Sequence, residues 1–300
     1  MKRWFNIFVY VSIIFVLYAL WKADYLTIPT IDNHLFLFIS ITLLFITYLS
    51  KSVVWSAGLK SNNIMVTLKD SVASTGMAEL GKYIPGKLWA VMGRAMYVAL
   101  HYPISTVNAS AISFNVQVLT IWSGIMAGAT GILFIEVPAE WIYLLVGSWL
   151  ILSCVLFIRQ IHDLIQKLAG KILKREVKIP LIDVRKRKEI ILWLFIDWFV
   201  RILAFYFFVL SLTPSNPGFA TALGFPLAVT LGIVAVVVPG GIGVREGVLV
   251  FWLKGIGLPL ETATTIAVAA RLWSLAGETG IFLIALLLKK PGKLSSKANS

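Results

Sequence analysis

The chain has 300 residues, of which 59% are hydrophobic and 14% are charged, and its mean hydropathy is +0.87. A soluble domain would carry roughly 25% charged residues, so the composition excludes a soluble globular protein and predicts a polytopic α-helical membrane protein. The net charge of +13 does not indicate a nucleic-acid-binding protein, because ten cations are concentrated in the loop between Arg159 and Glu189. Basic loops mark the cytoplasmic side of a membrane protein and attract anionic lipid head groups.

Two apolar runs open the predicted bundle. The first, Trp4–Trp21, predicts a span, and the preceding Lys2 and Arg3 predict a cytoplasmic N-terminus. The second, about His34–Ser50, predicts a span that returns to the cytoplasmic side at Lys51. We therefore expect Lys51 at the cytoplasmic surface.

A broken helix is predicted next, within residues 61–100. This segment is too polar for a helix that faces lipid, yet its apolar residues recur at helical spacing. We expect a helix that dips into the protein and breaks at Pro85-Gly86, followed by an exit arm over Lys87–Leu100 that carries Arg94. Backbone that leaves the helix within a bilayer is tolerated only where it is buried in protein or lines a wet cavity.

The remaining apolar runs predict further spans at about Ile104–Ile135, Trp141–Ile158, Ile190–Leu212, Phe219–Val238 and Thr262–Leu288. The first of these runs begins with a polar stripe, and such residues face other helices or a cavity in a membrane. Val244–Lys254 is too short to cross about 30 Å of hydrocarbon as a helix. We expect seven or eight spans, with eight if this second broken segment helps to cross.

The architecture that follows is an all-α membrane bundle with two broken or re-entrant hairpins. Residues 1–288 are predicted to form one integral-membrane domain, and residues 289–300 a short, basic, disordered tail. Broken segments that occur as a pair in the two halves of a chain indicate a substrate site near the bilayer midplane and are typical of an inverted repeat.

The second broken segment, Pro239-Gly240-Gly241-Ile242-Gly243-Val244-Arg245-Glu246, carries the strongest candidate site residues. Glycines let backbone approach a ligand closely, the start of the following helix favours an anion, and an arginine can hold a phosphate bidentately. The alternative interpretation is a helix hairpin with an internal salt bridge. The candidate head-group residues are Glu79, Lys82, Lys87, Arg94, Arg245, Glu246, Arg271 and Glu278, with backbone breaks at Pro85, Gly86, Pro239, Gly240, Gly241 and Gly243.

Other chemistries find little support in the sequence. Asp197 and Arg201 lie four residues apart on one predicted helix face, which is as consistent with an ion pair that eases membrane insertion as with a function. The three histidines lie far apart, so no metal site is predicted. The glycine run has the wrong spacing for a dinucleotide fingerprint and Gly86-Lys87 does not continue as a Walker loop, so no cofactor is predicted.

Two motifs resemble the signatures of a known family. One is Glu79-Leu80-Gly81-Lys82-Tyr83-Ile84-Pro85-Gly86-Lys87-Leu88-Trp89 with Gly93-Arg94, and the other is Pro239–Gly247 with Arg271 and Glu278. Through them nearly the whole chain resembles the lysylphosphatidylglycerol synthase transmembrane family, also called flippase-like. That family includes the flippase half of the bacterial multiple peptide resistance factor, which moves aminoacylated phosphatidylglycerol across the inner membrane. The resemblance implies a protein of a bacterial or archaeal cytoplasmic membrane that handles an anionic phospholipid or a polyprenyl or glycolipid phosphate.

Three functions are consistent with these observations. The first is a flippase that moves such a lipid, carrying an aminoacyl or glycosyl group, between leaflets. The alternatives are a membrane enzyme in glycolipid or aminoacyl-phospholipid synthesis and an accessory subunit that anchors a synthase or glycosyltransferase partner. The chain ends at Ser300 without the soluble aminoacyltransferase domain of the bifunctional members, and no activatable nucleophile is evident. We therefore expect transport rather than synthesis, with no nucleic-acid partner.

Overall fold

The computed structural model describes residues 30–84, 88–161, 163–164, 167, 184–235 and 241–290. Helix is the only regular secondary structure among these residues, as the prediction of an all-α bundle requires. Leu80–Tyr83 and Thr130–Phe134 are 3-10 turns that continue the second and fourth helices. The helices are α1 His34–Ser61, α2 Leu68–Glu79, α3 Leu88–His101, α4 Thr106–Ala129, α5 Ala139–Phe157, α6 Val184–Ser211, α7 Ala220–Val234, α8 Val244–Gly255 and α9 Leu260–Leu288.

Five of the described helices are long and apolar enough to cross a bilayer, namely α1, α4 with its 3-10 turn, α5, α6 and α9. Each overlaps a span predicted from the sequence, and α7 is a shorter apolar helix. The predicted first span, Trp4–Trp21, lies outside the described residues, as do residues 168–183 of the basic loop and 291–300 of the tail. The total of seven or eight crossings therefore stays a prediction.

The second predicted span required a correction. Helix α1 does not end near Ser50 but continues to Ser61, so Lys51 lies within the helix and not at its end. The helix continues because most of the next eight residues are apolar or small and because Glu79 neutralises the Lys51 ammonium at 2.6 Å. A lysine whose charge is neutralised does not have to mark the end of a membrane helix.

Both predicted breaks lie between helices. Helix α2 tightens into the 3-10 turn and α3 begins at Leu88, while α7 ends at Val234 and α8 begins at Val244. Residues 85–87 and 236–240, which contain the two Pro-Gly pairs, lie outside the described residues. At 12 residues, α8 is indeed too short to cross hydrocarbon alone.

The order of the helices repeats. A 28-residue helix, a broken helix pair and a second long helix occur once as α1, α2–α3 and α4, and again as α6, α7–α8 and α9. Contacts between helices repeat with them: α2 packs on α9 as α7 packs on α4, and α1 packs on α9 as α6 packs on α4. Exchanging the two halves therefore reproduces the packing, which defines a pseudo-two-fold relationship.

The two repeats are inverted with respect to each other. Helices α1 and α6, the equivalent first helices, run antiparallel along their length: the backbone N–H groups of Asp32 and Asn33 donate to the Ser211 carbonyl at one end, and Lys60 pairs with Glu189 at the other. Equivalent helices can be antiparallel only if the two-fold axis is perpendicular to them. Inverted repeats of this kind are a common architecture of membrane transporters.

Glycines allow close approach at both of the equivalent contacts between the repeats. A Cβ added to Gly76 on α2 would lie 2.5 Å from the Ile281 carbonyl oxygen of α9, and one added to Gly128 on α4 would lie 2.2 Å from Leu227 of α7. Small residues at such contacts are the usual means by which membrane helices approach each other. The close packing holds the two repeats around one shared centre.

Candidate functional site

A cavity of about 160 Å³ lies between the two repeats. Its walls come from the long helices of both halves and from all four arms of the broken helices. Eight charged side chains among the described residues line it, five cationic and three carboxylate, so within this part of the wall cations outnumber carboxylates by two. They are Lys51, Glu79, Lys82, Arg94, Asp197, Arg201, Arg245 and Glu278.

A chain of ion pairs crosses the cavity from the first repeat to the second. The Lys51 ammonium lies 2.6 Å from the Glu79 carboxylate, which also pairs with Lys82 at 2.8 Å. Lys82 reaches across to Glu278 of α9 at 2.5 Å, and the Tyr83 hydroxyl donates to the same carboxylate at 2.9 Å. Glu79 and Glu278 are almost fully buried, so in an apolar interior each requires these partners.

Arg94 and Arg245 differ from the other cavity cations in their partners. The Arg94 guanidinium donates to the Ser113 hydroxyl at 2.5 Å and to the Ser113 carbonyl at 2.7 Å, and it lies over the ring of Trp55. The Arg245 guanidinium donates to the Ser274 hydroxyl at 3.1 Å. Within the described part of the chain, neither has a carboxylate within 4.0 Å. The described residues thus orient both positive charges without neutralising them by an ion pair.

The glycines of α7 and of the second broken segment position Arg245. A Cβ on Gly232 would lie 2.4 Å from the Arg245 Cγ, so the aliphatic part of the arginine rests on bare backbone. A Cβ on Gly241, which has a φ of +70°, would lie 2.8 Å from the Gly232 carbonyl oxygen, and Gly243 has a φ of +81°. These are conformations that residues with a Cβ rarely adopt. The predicted role of the glycines, close backbone approach, is visible here between two protein segments.

Two of the predicted residues lie outside the cavity wall. The Glu246 carboxylate accepts the Gly243 N–H at 2.6 Å and caps the start of α8, where a negative charge is favoured by the helix dipole. Arg271 is buried behind the wall, with its guanidinium 4.9 Å from the ring centroid of Tyr83. The structure therefore brings together Glu79, Lys82, Arg94, Arg245 and Glu278, while Lys87 lies outside the described residues.

Sequence analysis missed Lys51 as a cavity residue and left Arg201 undecided. Arg201 pairs with Asp197 at 3.1 Å within α6, as the spacing predicted, but both side chains also line the cavity. The missed signal was an internal repeat: Leu44–Lys51 reads LFITYLSK and Leu194–Arg201 reads LFIDWFVR. Lys51 and Arg201 occupy the same place in this repeat.

The cavity follows the pseudo-two-fold relationship of the fold. The equivalent pairs Leu44 and Leu194, Tyr48 and Trp198, and Lys51 and Arg201 all line it. Aligning Pro85-Gly86 with Pro239-Gly240 further matches Val91 with Arg245 and Thr120 with Ser274, and these four residues line the cavity as well. The cavity is therefore built from two related half-sites, one in each repeat.

The polar residues predicted at the start of the apolar run Ile104–Ile135 contribute to the wall of the cavity. Ser113 of α4 holds Arg94, and Gln117 of the same helix lines the cavity. Both residues face protein or the cavity rather than the outside of the bundle, as expected for polar residues of a membrane helix.

Comparison with known proteins gives one match. Residues 4–279 match the family model described as the lysylphosphatidylglycerol synthase TM region, and the match includes helices α1 to α8, most of α9 and the eight charged cavity residues named above. No curated protein and no solved structure matches the chain.

Proposed function

Because this chain belongs to the lysylphosphatidylglycerol synthase TM family, we propose that it moves a lipid with a phosphate-bearing head group between the two leaflets of a membrane. The family consists of multi-pass membrane proteins of the lipid-modification or flippase kind. The lipid would be an anionic phospholipid or an aminoacyl- or glycosyl-bearing lipid phosphate. The membrane would be the cytoplasmic membrane, with the N-terminus inside.

The observation that carries this proposal is a positively charged cavity between two inverted repeats. In transporters built this way the substrate site lies between the repeats, and access alternates as one repeat moves against the other. Cations outnumber carboxylates among the described residues of the wall, which suits an anionic group.

The size of the cavity fits a head group and not a whole lipid. Pockets for drug-sized ligands measure about 300–1,000 Å³, whereas this cavity measures about 160 Å³. Acyl chains would therefore stay in the surrounding hydrocarbon, where burying them costs nothing, while the polar part crosses through the protein. This removes the main barrier to leaflet exchange, which is the transfer of a charged group into hydrocarbon.

Arg94 and Arg245 are the residues that would hold the phosphate. Each guanidinium is fixed by a serine of the following long helix and retains donors for a ligand. They come from equivalent arms, α3 and α8, which pack mainly on helices of their own repeat. A phosphate held by both would therefore connect two arms that can move separately.

A leaflet-exchange assay on reconstituted protein tests the proposal. A fluorescent phosphatidylglycerol and a prenyl phosphate are incorporated into vesicles, and the fraction that reaches the outer leaflet is followed with an impermeant quencher. We expect exchange above the protein-free rate, a loss of at least about tenfold for Arg245→Gln, and no loss for Lys60→Gln. Lys60 is the matched control because its ion pair is exposed at the surface. Equal exchange with and without protein for every lipid tested would contradict the proposal.

A further inference from the structure

One ion pair joins the two repeats inside the cavity. Lys82 follows α2 in the first repeat, and its ammonium lies 2.5 Å from the Glu278 carboxylate of α9 in the second repeat. The other cavity ion pairs formed by the described residues stay within one repeat, and they are Lys51–Glu79, Lys82–Glu79 and Arg201–Asp197. A movement that separates α2 from α9 at this level must therefore break the bond between Lys82 and Glu278.

The internal repeat does not reproduce this bond. Aligning the two Pro-Gly pairs places Val236 at the position of Lys82 and Gly124 at the position of Glu278. Neither valine nor glycine can carry a side-chain charge, so no ion pair can form between these two positions. Instead, Gly124 of α4 packs closely on α7, since a Cβ added to it would lie 2.2 Å from the Thr230 Oγ1. The contact between α2 and α9 is thus held by charge, whereas the equivalent contact between α4 and α7 is held at this position by uncharged packing.

Lys82 can leave one of its two carboxylates at little cost, but not the other. Glu79 keeps Lys51 at 2.6 Å when Lys82 moves. Glu278 is 1% exposed, and among the partners that the described chain provides it then keeps the Tyr83 hydroxyl at 2.9 Å. A buried carboxylate without a cation is strongly unfavourable, whereas water that enters between separating helices restores its solvation. The bond therefore favours the closed contact as long as nothing competes with Glu278 for Lys82.

An anion in the cavity is such a competitor. Arg94 and Arg245 line the same cavity of about 160 Å³ as Lys82, so a phosphate held by the two guanidinium groups shares this space with the Lys82 ammonium. Lysine has a flexible stem and three donors, and its bonds to phosphate oxygens are charge-assisted like its bonds to a carboxylate. We propose that head-group binding is coupled to separation of the two repeats through Lys82, which the bound phosphate draws away from Glu278. This inference rests on the proposed function, because it names how the same site is controlled.

Distances between spin labels on the purified full-length protein test the coupling. In a Cys154→Ser background, Leu68→Cys on α2 and Leu283→Cys on α9 place labels at exposed positions of the two helices of the charged contact. Met126→Cys on α4 and Val234→Cys on α7 do the same for the uncharged contact. The protein is kept in maltoside micelles, whose detergent carries no phosphate, and phosphatidylglycerol or a prenyl phosphate is added. We expect added lipid to shift the distances between α2 and α9 to longer values, with a smaller shift or none between α4 and α7.

The double variant Lys82→Met with Glu278→Gln removes the bond together with both of its charges. Without lipid it should populate the longer distances between α2 and α9 at least about tenfold more than the wild type, and added lipid should change them little. A bond that only stabilised the fold would leave the distances and the lipid response of this variant unchanged. Asp197→Asn with Arg201→Gln is the matched control, because it neutralises a cavity ion pair within one helix, and it should keep the wild-type distances without lipid. Lys82→Arg keeps a cation at the position and should keep both the distances and the lipid response.

The outcomes separate this inference from the proposed function. Wild-type distances that change with neither lipid would overturn the coupling, and leaflet exchange of either lipid by the same protein would show that transport proceeds without it. Wild-type distances in the Lys82→Met, Glu278→Gln variant, or equal shifts at the two contacts, would overturn the coupling as well. An equal shift in the Asp197→Asn, Arg201→Gln control would show that the effect is not specific to Lys82 and would also overturn it. A lipid-induced shift between α2 and α9 without exchange of any lipid between leaflets would support the coupling and refute the transport function.

Discussion

Lys82 connects the two repeats, and replacing it with methionine tests whether that connection stabilises the fold. Its ammonium lies 2.5 Å from Glu278 and 2.8 Å from Glu79, and Glu278 is 1% exposed. In Lys82→Met, Glu79 keeps Lys51, but Glu278 keeps only the Tyr83 hydroxyl among the direct partners that the structure describes. The substitution therefore leaves one buried carboxylate without its ion pair.

The size of the effect follows from this geometry. Removing one partner of a buried ion pair costs about 3–5 kcal/mol, because the remaining charge is uncompensated. Lys82 is 25% exposed, so water can partly solvate the site, and we expect the lower end, about 3 kcal/mol. Lys60→Met breaks an ion pair whose side chains are 54% and 49% exposed and should cost less than about 1 kcal/mol.

Reversible unfolding in mixed detergent micelles, followed by circular dichroism, gives the free energy of unfolding of each variant. The double variant Lys82→Met with Glu278→Gln removes both charges, so it should be more stable than Lys82→Met alone. Replacing a buried pair by neutral groups is often close to neutral. The reasoning is refuted if Lys82→Met costs no more than Lys60→Met, or if the double variant is less stable than the single one.

Three further predictions concern the packing and the ends of the helices. Gly76→Ala places a Cβ 2.5 Å from a backbone oxygen of α9 and should lower the free energy of unfolding by about 1–3 kcal/mol. The control Gly147→Ala meets nothing within 4 Å and should not destabilise the protein. Equal effects of the two substitutions on thermal unfolding would contradict the close contact at Gly76. Gly243→Ala places a residue with a Cβ at a φ of +81° and should lower the free energy of unfolding by about 1–3 kcal/mol. The control Gly247→Ala should not lower it, and a Gly243→Ala protein as stable as the wild type would show that this turn is not constrained. Burial raises the pKa of Asp70, but hydrogen bonds from the side chains of a lysine, a tyrosine and a threonine outweigh it and hold the pKa below its usual value. The stabilising contribution of Asp70 is thus fully present above the unfolded pKa of about 3.9 and is lost as pH falls through the lower folded pKa. Asp70→Asn should therefore reduce the fall in the free energy of unfolding between neutral and acid pH. An unchanged fall would refute this reasoning.

The sequence by itself determined the helices and the places where they break. Apolar runs long enough to span hydrocarbon and Pro-Gly pairs are local properties, and they located the long helices of the described chain, although the first of these continues to Ser61 and not only to about Ser50. The same reasoning singled out Glu79, Lys82, Arg94, Arg245 and Glu278, because a charge in an apolar segment is costly wherever the segment packs. The structure places all five in one cavity wall.

Only the tertiary structure decided how these charges are used. A lysine after an apolar run predicted the end of a span, yet helix α1 continues past Lys51, whose side chain pairs with Glu79 of another helix and lines the cavity. Glu246 was expected at the head group but caps its own helix. Tyr83 and Glu278 meet although they are 195 positions apart in the chain. Which charges are paired, and which remain available to a ligand, depends on contacts between distant helices, and local sequence patterns carry no information about such contacts.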